Sequence, residues 1–218
     1  MTTLFVRKQD GKSKRFLATP EVEPDCQWVI DGEGVAHRKW DGTCCAIIKG
    51  VFYKRRVVKG KFIPKGWRHW SGRLEQLSGH GWMPVGDDND DQWHRAGFRT
   101  STEAWCSGFI PAELPEDGRE PADRLPDGTY ELVGPKIQGG AEGIPGLDPD
   151  FAHFLMKHDG HDGVGFATQP PRDFDGLRAW MVETPVEGVV WHHPDGRMAK
   201  LKRRDFDIPW PLPRPQTP

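Results

Sequence analysis

Residues 186–206 read VEGVVWHHPDGRMAKLKRRDF. Two apolar, β-branched runs flank Pro194-Asp195-Gly196-Arg197, the pattern of a hairpin on a two-residue Asp-Gly turn. That turn pairs Pro194 with Arg197, which sets Val189 opposite Lys202 and Glu187 opposite Arg204. Side chains two residues apart share a face, so Glu187, Val189, Lys200 and Lys202 line one wall. Such a wall offers a carboxylate for a metal and two ammonium groups for phosphates. A three-residue loop would shift the register by one and turn Glu187 to the other face.

The same signals recur outward from this hairpin. Asp-Gly occurs nine times and marks many tight turns. β-branched and aromatic enrichment predicts strands over 34–38, 44–58, 129–134, 186–193 and 197–206. Helices are few. Asp148-Pro149 has the form of an N-cap followed by proline, with Phe151, Phe154 and Leu155 on one face. Asp173 caps a second helix that carries Phe174, Leu177 and Met181 at helical spacing. Residues 60–128, rich in Trp, Gly and Pro, show no sustained period. Beyond Ile208 the prolines allow neither helix nor central strand. The fold class is α+β with mainly antiparallel sheet, one domain over 1–208 with a Pro-rich tail over 209–218.

The chain has 218 residues, of which 36% are hydrophobic, as expected of one loop-rich globular domain. With 30 basic and 32 acidic residues the net charge is −2, so no global attraction to a polyanion exists. Basic residues instead come in blocks at 7–15, 54–68 and 200–204. No window approaches the ~18 apolar residues of a membrane span, and residues 1–15 lack the apolar core of a secretory signal. Cys26, Cys44, Cys45 and Cys106 form no Cys-x-x-Cys pair, which argues against a zinc knuckle or disulfide framework. A reducing cytoplasmic setting is the expectation.

Lys-x-Asp-Gly occurs three times, at Lys8, Lys39 and Lys157. A lysine that attacks phosphorus must be held rigidly near phosphates and a metal. Lys39 alone follows an extended segment and precedes an apolar run, Thr43-Cys44-Cys45-Ala46-Ile47-Ile48. Lys8 leads into a polar stretch, and Lys157 ends the first predicted helix. Four further pieces stand downstream of Lys39. In Tyr53-Lys54-Arg55-Arg56 the cations alternate faces, so Arg55 or Arg56, not both, can meet a ligand. Thr129-Tyr130-Glu131-Leu132-Val133-Gly134 and Glu187-Gly188-Val189-Val190 each put a carboxylate within an apolar strand. Ala199-Lys200-Leu201-Lys202 puts two ammonium groups on one face.

In this order the five pieces resemble motifs I, Ia, III, IV and V of the covalent nucleotidyltransferases, the superfamily of ATP-dependent ligases and capping enzymes. Lys39-Trp-Asp-Gly-Thr-Cys-Cys, Tyr53-Lys-Arg-Arg and Glu131-Leu-Val-Gly-Pro-Lys are similar to the RNA ligases that include the vertebrate 5′-3′ enzyme. The resemblance implies an ATP-grasp-like adenylation fold, with no OB domain in the 16 residues after Lys202. It implies an ATP-dependent RNA ligase, acting in RNA repair on 5′-phosphate and 3′-hydroxyl ends through lysyl-AMP and adenylylated RNA. Lys39 is then the nucleophile. Lys39, Asp41, Gly42, Arg55 or Arg56, Glu131, Lys200 and Lys202 hold the nucleotide. Glu131 and Glu187 bind Mg²⁺, or Mn²⁺ in its place, and Glu187, Lys200 and Lys202 join Lys39 in catalysis. An aromatic stacks on adenine, for which Phe151, Phe154 and Phe166 all qualify. RNA itself falls to the basic segment 54–68 and exposed tryptophans, by charge and stacking.

Other readings differ in what they leave over. A Trp-rich β-domain that binds RNA or glycans without catalysis leaves Lys39, Glu131, Glu187 and the lysine pair without a use. Another polynucleotide adenylyltransferase would use them on different ends. His153, His158, His161, His192 and His193 show no metallohydrolase spacing, and His158-Asp-Gly-His-Asp-Gly reads as turns.

Overall fold

The structure is a computed structural model that describes residues 1–11, 13–60, 62–72, 78–106, 125–142, 152–158, 166 and 168–212. In chain order its strands begin with β1 (Thr2–Thr3), β2 (Phe5–Gln9) and β3 (Phe16–Val22). A short helix α1 (Gln27–Ile30) leads into β4 (Val35–Lys39), β5 (Thr43–Ile48) and β6 (Val51–Val58). Next come β7 (Arg68–His69), β8 (Gly79–Pro84), helix α2 (Gln92–Cys106), β9 (Gly128–Val133) and β10 (Phe154–Lys157). Helix α3 (Phe174–Glu183), β11 (Gly188–His192) and β12 (Met198–Lys202) complete the set. The class is α+β, and among the described residues every strand pairing except β1 with β12 is antiparallel. No helix among the described residues is long and apolar enough to cross a membrane.

The chain divides into two compact units, Met1–Trp40 with Val164–Pro218, and Asp41–Gly163. The first carries a four-stranded sheet in the order β1-β12-β11-β4 and the β2-β3 hairpin. Alternation along β11 and β12 sends Val189, Trp191, Ala199 and Leu201 to one face, where each is fully buried. Leu177 and Met181 of α3 pack into that core with Phe5, Trp28 and Val29. Helix α3 starts where the sequence predicts, with Asp173 accepting a hydrogen bond from the Gly176 amide at 2.8 Å.

The second unit carries a six-stranded antiparallel sheet in the order β10-β9-β5-β6-β8-β7. One face is apolar, with Cys45, Ile47, Tyr130, Leu132 and Leu155 buried against Trp93 and Phe98 of α2. Phe52 stacks on Phe98 at 5.0 Å. Lys54 on the same face is paired with the buried Asp91 at the foot of α2.

Several sequence expectations change. The strand expected over 44–58 is a hairpin, because Lys49 and Gly50 both take left-handed backbone (φ 51° and 72°). Asp127 accepts both their amides, which stabilises a lysine in that conformation. The helix expected around Phe154 and Leu155 is strand β10 from Phe154 onward, while Asp148, Pro149 and Phe151 lie outside the described residues. A short apolar run carries no period of its own, and pairing with β9 decides the matter, with Leu155 opposite Leu132. The strand expected to Phe206 stops at Lys202 and becomes a 3-10 turn over Arg203–Phe206. Lys8, which leads into a polar stretch as the sequence indicates, stands near the end of β2 and pairs with Glu21 at 3.1 Å.

The β11–β12 register is also one residue off. His193 donates to the Arg197 carbonyl at 3.0 Å, which makes Pro194-Asp195-Gly196 a three-residue loop. Gly196 takes φ 89°, and Asp195 accepts the Arg197 amide at 2.9 Å, the form of a turn closed by a left-handed glycine. Gly188, not Val189, therefore faces Lys202, and Val190 faces Lys200.

Candidate active site

That corrected register creates a polar face opposite the apolar core of the four-stranded sheet. Lys39 on β4, Gly188 on β11 and Lys202 on β12 form one cross-strand row, and His37, Val190 and Lys200 form the next. Cross-strand partners point to the same side, so three lysines share this face. Gly188 is the close-approach position in the row. A Cβ there would lie 2.1 Å from the Leu201 carbonyl oxygen and 2.9 Å from the Lys202 Cα.

Glu187 precedes the first residue of β11, so strand alternation does not bind it. Its carbonyl accepts the Arg203 amide at 2.9 Å. Its carboxylate sits between the lysines rather than on the far face that a three-residue loop implied. Lys39 Nζ lies 2.6 Å from Oε2, Lys202 Nζ lies 2.7 Å from Oε1, and Arg204 is 3.4 Å from Oε1. Lys39 Nζ also donates to the Trp40 carbonyl at 3.3 Å. The Glu187 side chain is only 2% exposed, against 20% for each lysine. Burial works to raise the Glu187 pKa, but the charge of Lys39 and the hydrogen bonds from Lys202 and Lys39 outweigh it and hold the carboxyl below its ordinary value. The Lys200 ammonium is pushed down, first by burial and then by the charges of Lys202, Lys39 and Arg7. A face that carries three lysines, with the buried Glu187 carboxylate already committed to two of them, is suited to a polyphosphate.

In the second unit, Gly42 touches β9. A Cβ there would lie 2.2 Å from the Leu132 carbonyl and 2.8 Å from Glu131 Cγ, so this Asp-Gly is a packed joint rather than an exposed turn. The Asp41 amide donates to the buried Glu142 at 3.1 Å, and Gln138 donates to the Gly42 carbonyl at 3.3 Å. Glu131 lies on β9 opposite Cys44, on the sheet face not covered by α2. Cys45 pairs with Lys54, so alternation puts Arg55 on the Cys44–Glu131 face and Arg56 on the face of Lys54. Both arginines are exposed.

Of the three aromatics, Phe154 pairs with Val133 on β9 and so shares the Glu131 face. Phe166 packs on the apolar core of the first unit, edge-on to Trp180 at 5.0 Å. Phe151 lies outside the described residues. Sequence reasoning set Arg204 opposite Glu187 without giving it a role in the site, missed Glu142 as the acceptor for Asp41, and read His158 as part of a turn, whereas its Nε2 lies 3.0 Å from Glu131. His158 is one residue beyond β10, where the sequence predicts a helix, so no periodicity points to it.

A family model described as RNA ligase 1 matches residues 56–217, a span that contains Glu131, Glu187, Lys200 and Lys202. Curated proteins named RNA ligase 1 are similar over most of the chain. The protein from Danio rerio is 25% identical, with 94% of this chain and 77% of the relative covered. The one from Rattus norvegicus is 30% identical, covering 97% and 73%, and the one from Mus musculus 28%, covering 97% and 73%. At that coverage the comparisons extend to Lys39, which precedes the family model.

Proposed function

The chain belongs to the RNA ligase 1 family, and from that premise we propose that it is an ATP-dependent RNA ligase acting through lysyl-AMP. The observation that carries this reading is the Lys39–Glu187–Lys202 cluster on the lysine face of the first unit. Lys39 Nζ attacks the α-phosphorus of ATP. A P–N bond forms, the bond to the β-phosphate oxygen breaks, pyrophosphate leaves and the lysine proton passes to solvent. The AMP then moves to an RNA 5′-phosphate, which restores the Lys39 amine. An RNA 3′-hydroxyl attacks that phosphate, forms the phosphodiester and releases AMP. This chemistry suits RNA repair.

Pairing with Glu187 holds the Lys39 amine in one place, and attack requires that pairing to be given up. Lys200 and Lys202 balance charge as it develops on the phosphates. Glu187 and Glu131 are hard oxygen donors, the type that Mg²⁺ or Mn²⁺ takes. A metal taken by Glu187 would neutralise phosphate charge and leave Lys39 a weaker hold on that carboxylate. Asp41, Gly42 and Arg55 contribute nucleotide contacts in this reading, and Phe154, on the Glu131 face, is the aromatic for adenine. The fold of the reading is the nucleotidyltransferase adenylation domain, with 1–208 as its body.

The test is sealing of a labelled RNA with a 5′-phosphate and a 3′-hydroxyl, with ATP and Mg²⁺. Parent protein yields the sealed strand, Lys39→Ala does not, and DNA ends serve as control. Failure to seal any RNA with either Mg²⁺ or Mn²⁺ removes the ligase reading and leaves non-catalytic binding.

A further inference from the structure

Cys44 Sγ, a Glu131 carboxylate oxygen and a His158 ring nitrogen lie within 4.8 Å of one another. The three come from separate parts of the second unit's sheet. Cys44 and Glu131 are direct cross-strand partners on β5 and β9. His158 follows β10, and its amide donates to the Thr129 carbonyl at 3.0 Å, which ties the residue to β9. Each is partly buried and reachable by solvent ions. Nε2 of His158 already lies 3.0 Å from Glu131 Oε2.

From this convergence we propose that Cys44, Glu131 and His158 form a binding site for a Zn²⁺-class cation. Mg²⁺ takes oxygen ligands and does not favour thiolate or imidazole. A sulfur, a nitrogen and an oxygen are instead the donor set of zinc and its neighbours. At the usual bond lengths, ligands around a tetrahedral zinc stand roughly 3–4 Å apart. The present atoms, all within 4.8 Å of one another, are close to that spacing. Binding releases the Cys44 thiol proton to solvent, and the thiolate, the imidazole and the carboxylate leave a fourth position open. The site takes Glu131 away from any nucleotide. Resting on the ligase reading, micromolar Zn²⁺ then slows lysyl-AMP formation in the parent and not in Cys44→Ser.

The test uses Co²⁺ alone as the spectroscopic probe, titrated into the full chain with no nucleotide present. The expected result is one equivalent of Co²⁺ with a thiolate-to-cobalt charge-transfer band in the near ultraviolet. Zn²⁺ displaces it. Cys44→Ser loses the band, and His158→Asn weakens binding at least about tenfold, the loss seen on removing even an outer partner of a metal ligand. Cys26 and Cys45 are buried free thiols, and a band that survives Cys44→Ser belongs to another of the chain's four cysteines and overturns the site. So does a parent protein that shows no band, or a His158→Asn protein that binds as tightly as the parent. None of these outcomes depends on adenylylation, so loss of the ligase reading and loss of this site are separable.

Discussion

Lys39 and Lys202 hold the two oxygens of one buried carboxylate from opposite sides, 2.6 and 2.7 Å from Glu187, across a strand whose facing residue is Gly188. The nucleophile of the proposed reaction is thus positioned by an ion-pair network and not by a lone salt bridge.

Removing the carboxylate charge should cost both stability and chemistry. Glu187→Gln leaves two partly buried ammonium groups facing an amide, a loss of about 3 kcal/mol by comparison with broken buried pairs. Because the folded pKa of Glu187 is lowered, its contribution is complete above roughly pH 4.3, the ordinary glutamate value, and fades as pH falls through the folded value. Urea denaturation at pH 7 and at pH 3 checks this. The difference between parent and variant is expected at pH 7 and should shrink at pH 3.

Gly188→Ala introduces a Cβ 2.1 Å from the Leu201 carbonyl. The strand must shift, at about 1–3 kcal/mol for overpacking of this kind, and the Lys39–Lys202 spacing shifts with it. Denaturation should show the loss, and lysyl-AMP formation should fall by more than in a variant of equal stability altered in α3. A Gly188→Ala protein as stable as the parent would refute the close-approach role.

The two arginines of β6 should separate. Arg55 shares the face of Glu131 and Arg56 does not. Losing a charged hydrogen bond costs about 1.5–3 kcal/mol, so Arg55→Ala should lower kcat/KM for adenylylation or sealing by tenfold or more. Arg56→Ala should leave adenylylation near parent values. Equal effects would contradict the assignment by face.

RNA contacts are expected around Trp70, a residue 52% exposed whose ring stacks on His80 at 4.7 Å. Phe62 nearby in sequence is 84% exposed, and Lys59, Lys65 and Arg68 supply charge. Base stacking is worth about 1–3 kcal/mol per base. Trp70→Ala should weaken binding of single-stranded RNA about tenfold or more, with lysyl-AMP formation unchanged. A Trp70→Ala protein that binds RNA as the parent does would place the RNA elsewhere.

Much of this site was legible because its signals are local. Asp173 capping α3, the strand before Lys39 and the apolar run after it each needed only neighbouring residues. The α+β class followed from the same kind of signal. What failed depended on distant partners. Phe154 and Leu155 pack as a strand because β9 is beside them, which no window around them reveals. The one-residue error in the β11–β12 register came from counting Asp195-Gly196 as the whole loop, when Pro194 belongs to it too. Glu187 still reaches Lys202, for a reason that alternation does not contain: it lies just outside the strand. Helix α2 escaped notice because Gly97 interrupts a pattern in which it alone leaves room for Leu132, whose Cδ1 would meet a Cβ there at 2.3 Å.

The central claim is that Lys39 carries AMP. Intact-mass measurement of the purified protein after incubation with ATP and Mg²⁺, beside Lys39→Ala, tests it most directly. The account predicts a gain of one AMP in the parent, absent from the variant and discharged by pyrophosphate. An unmodified parent with Mg²⁺ and with Mn²⁺, or an adduct that persists in Lys39→Ala, would contradict it.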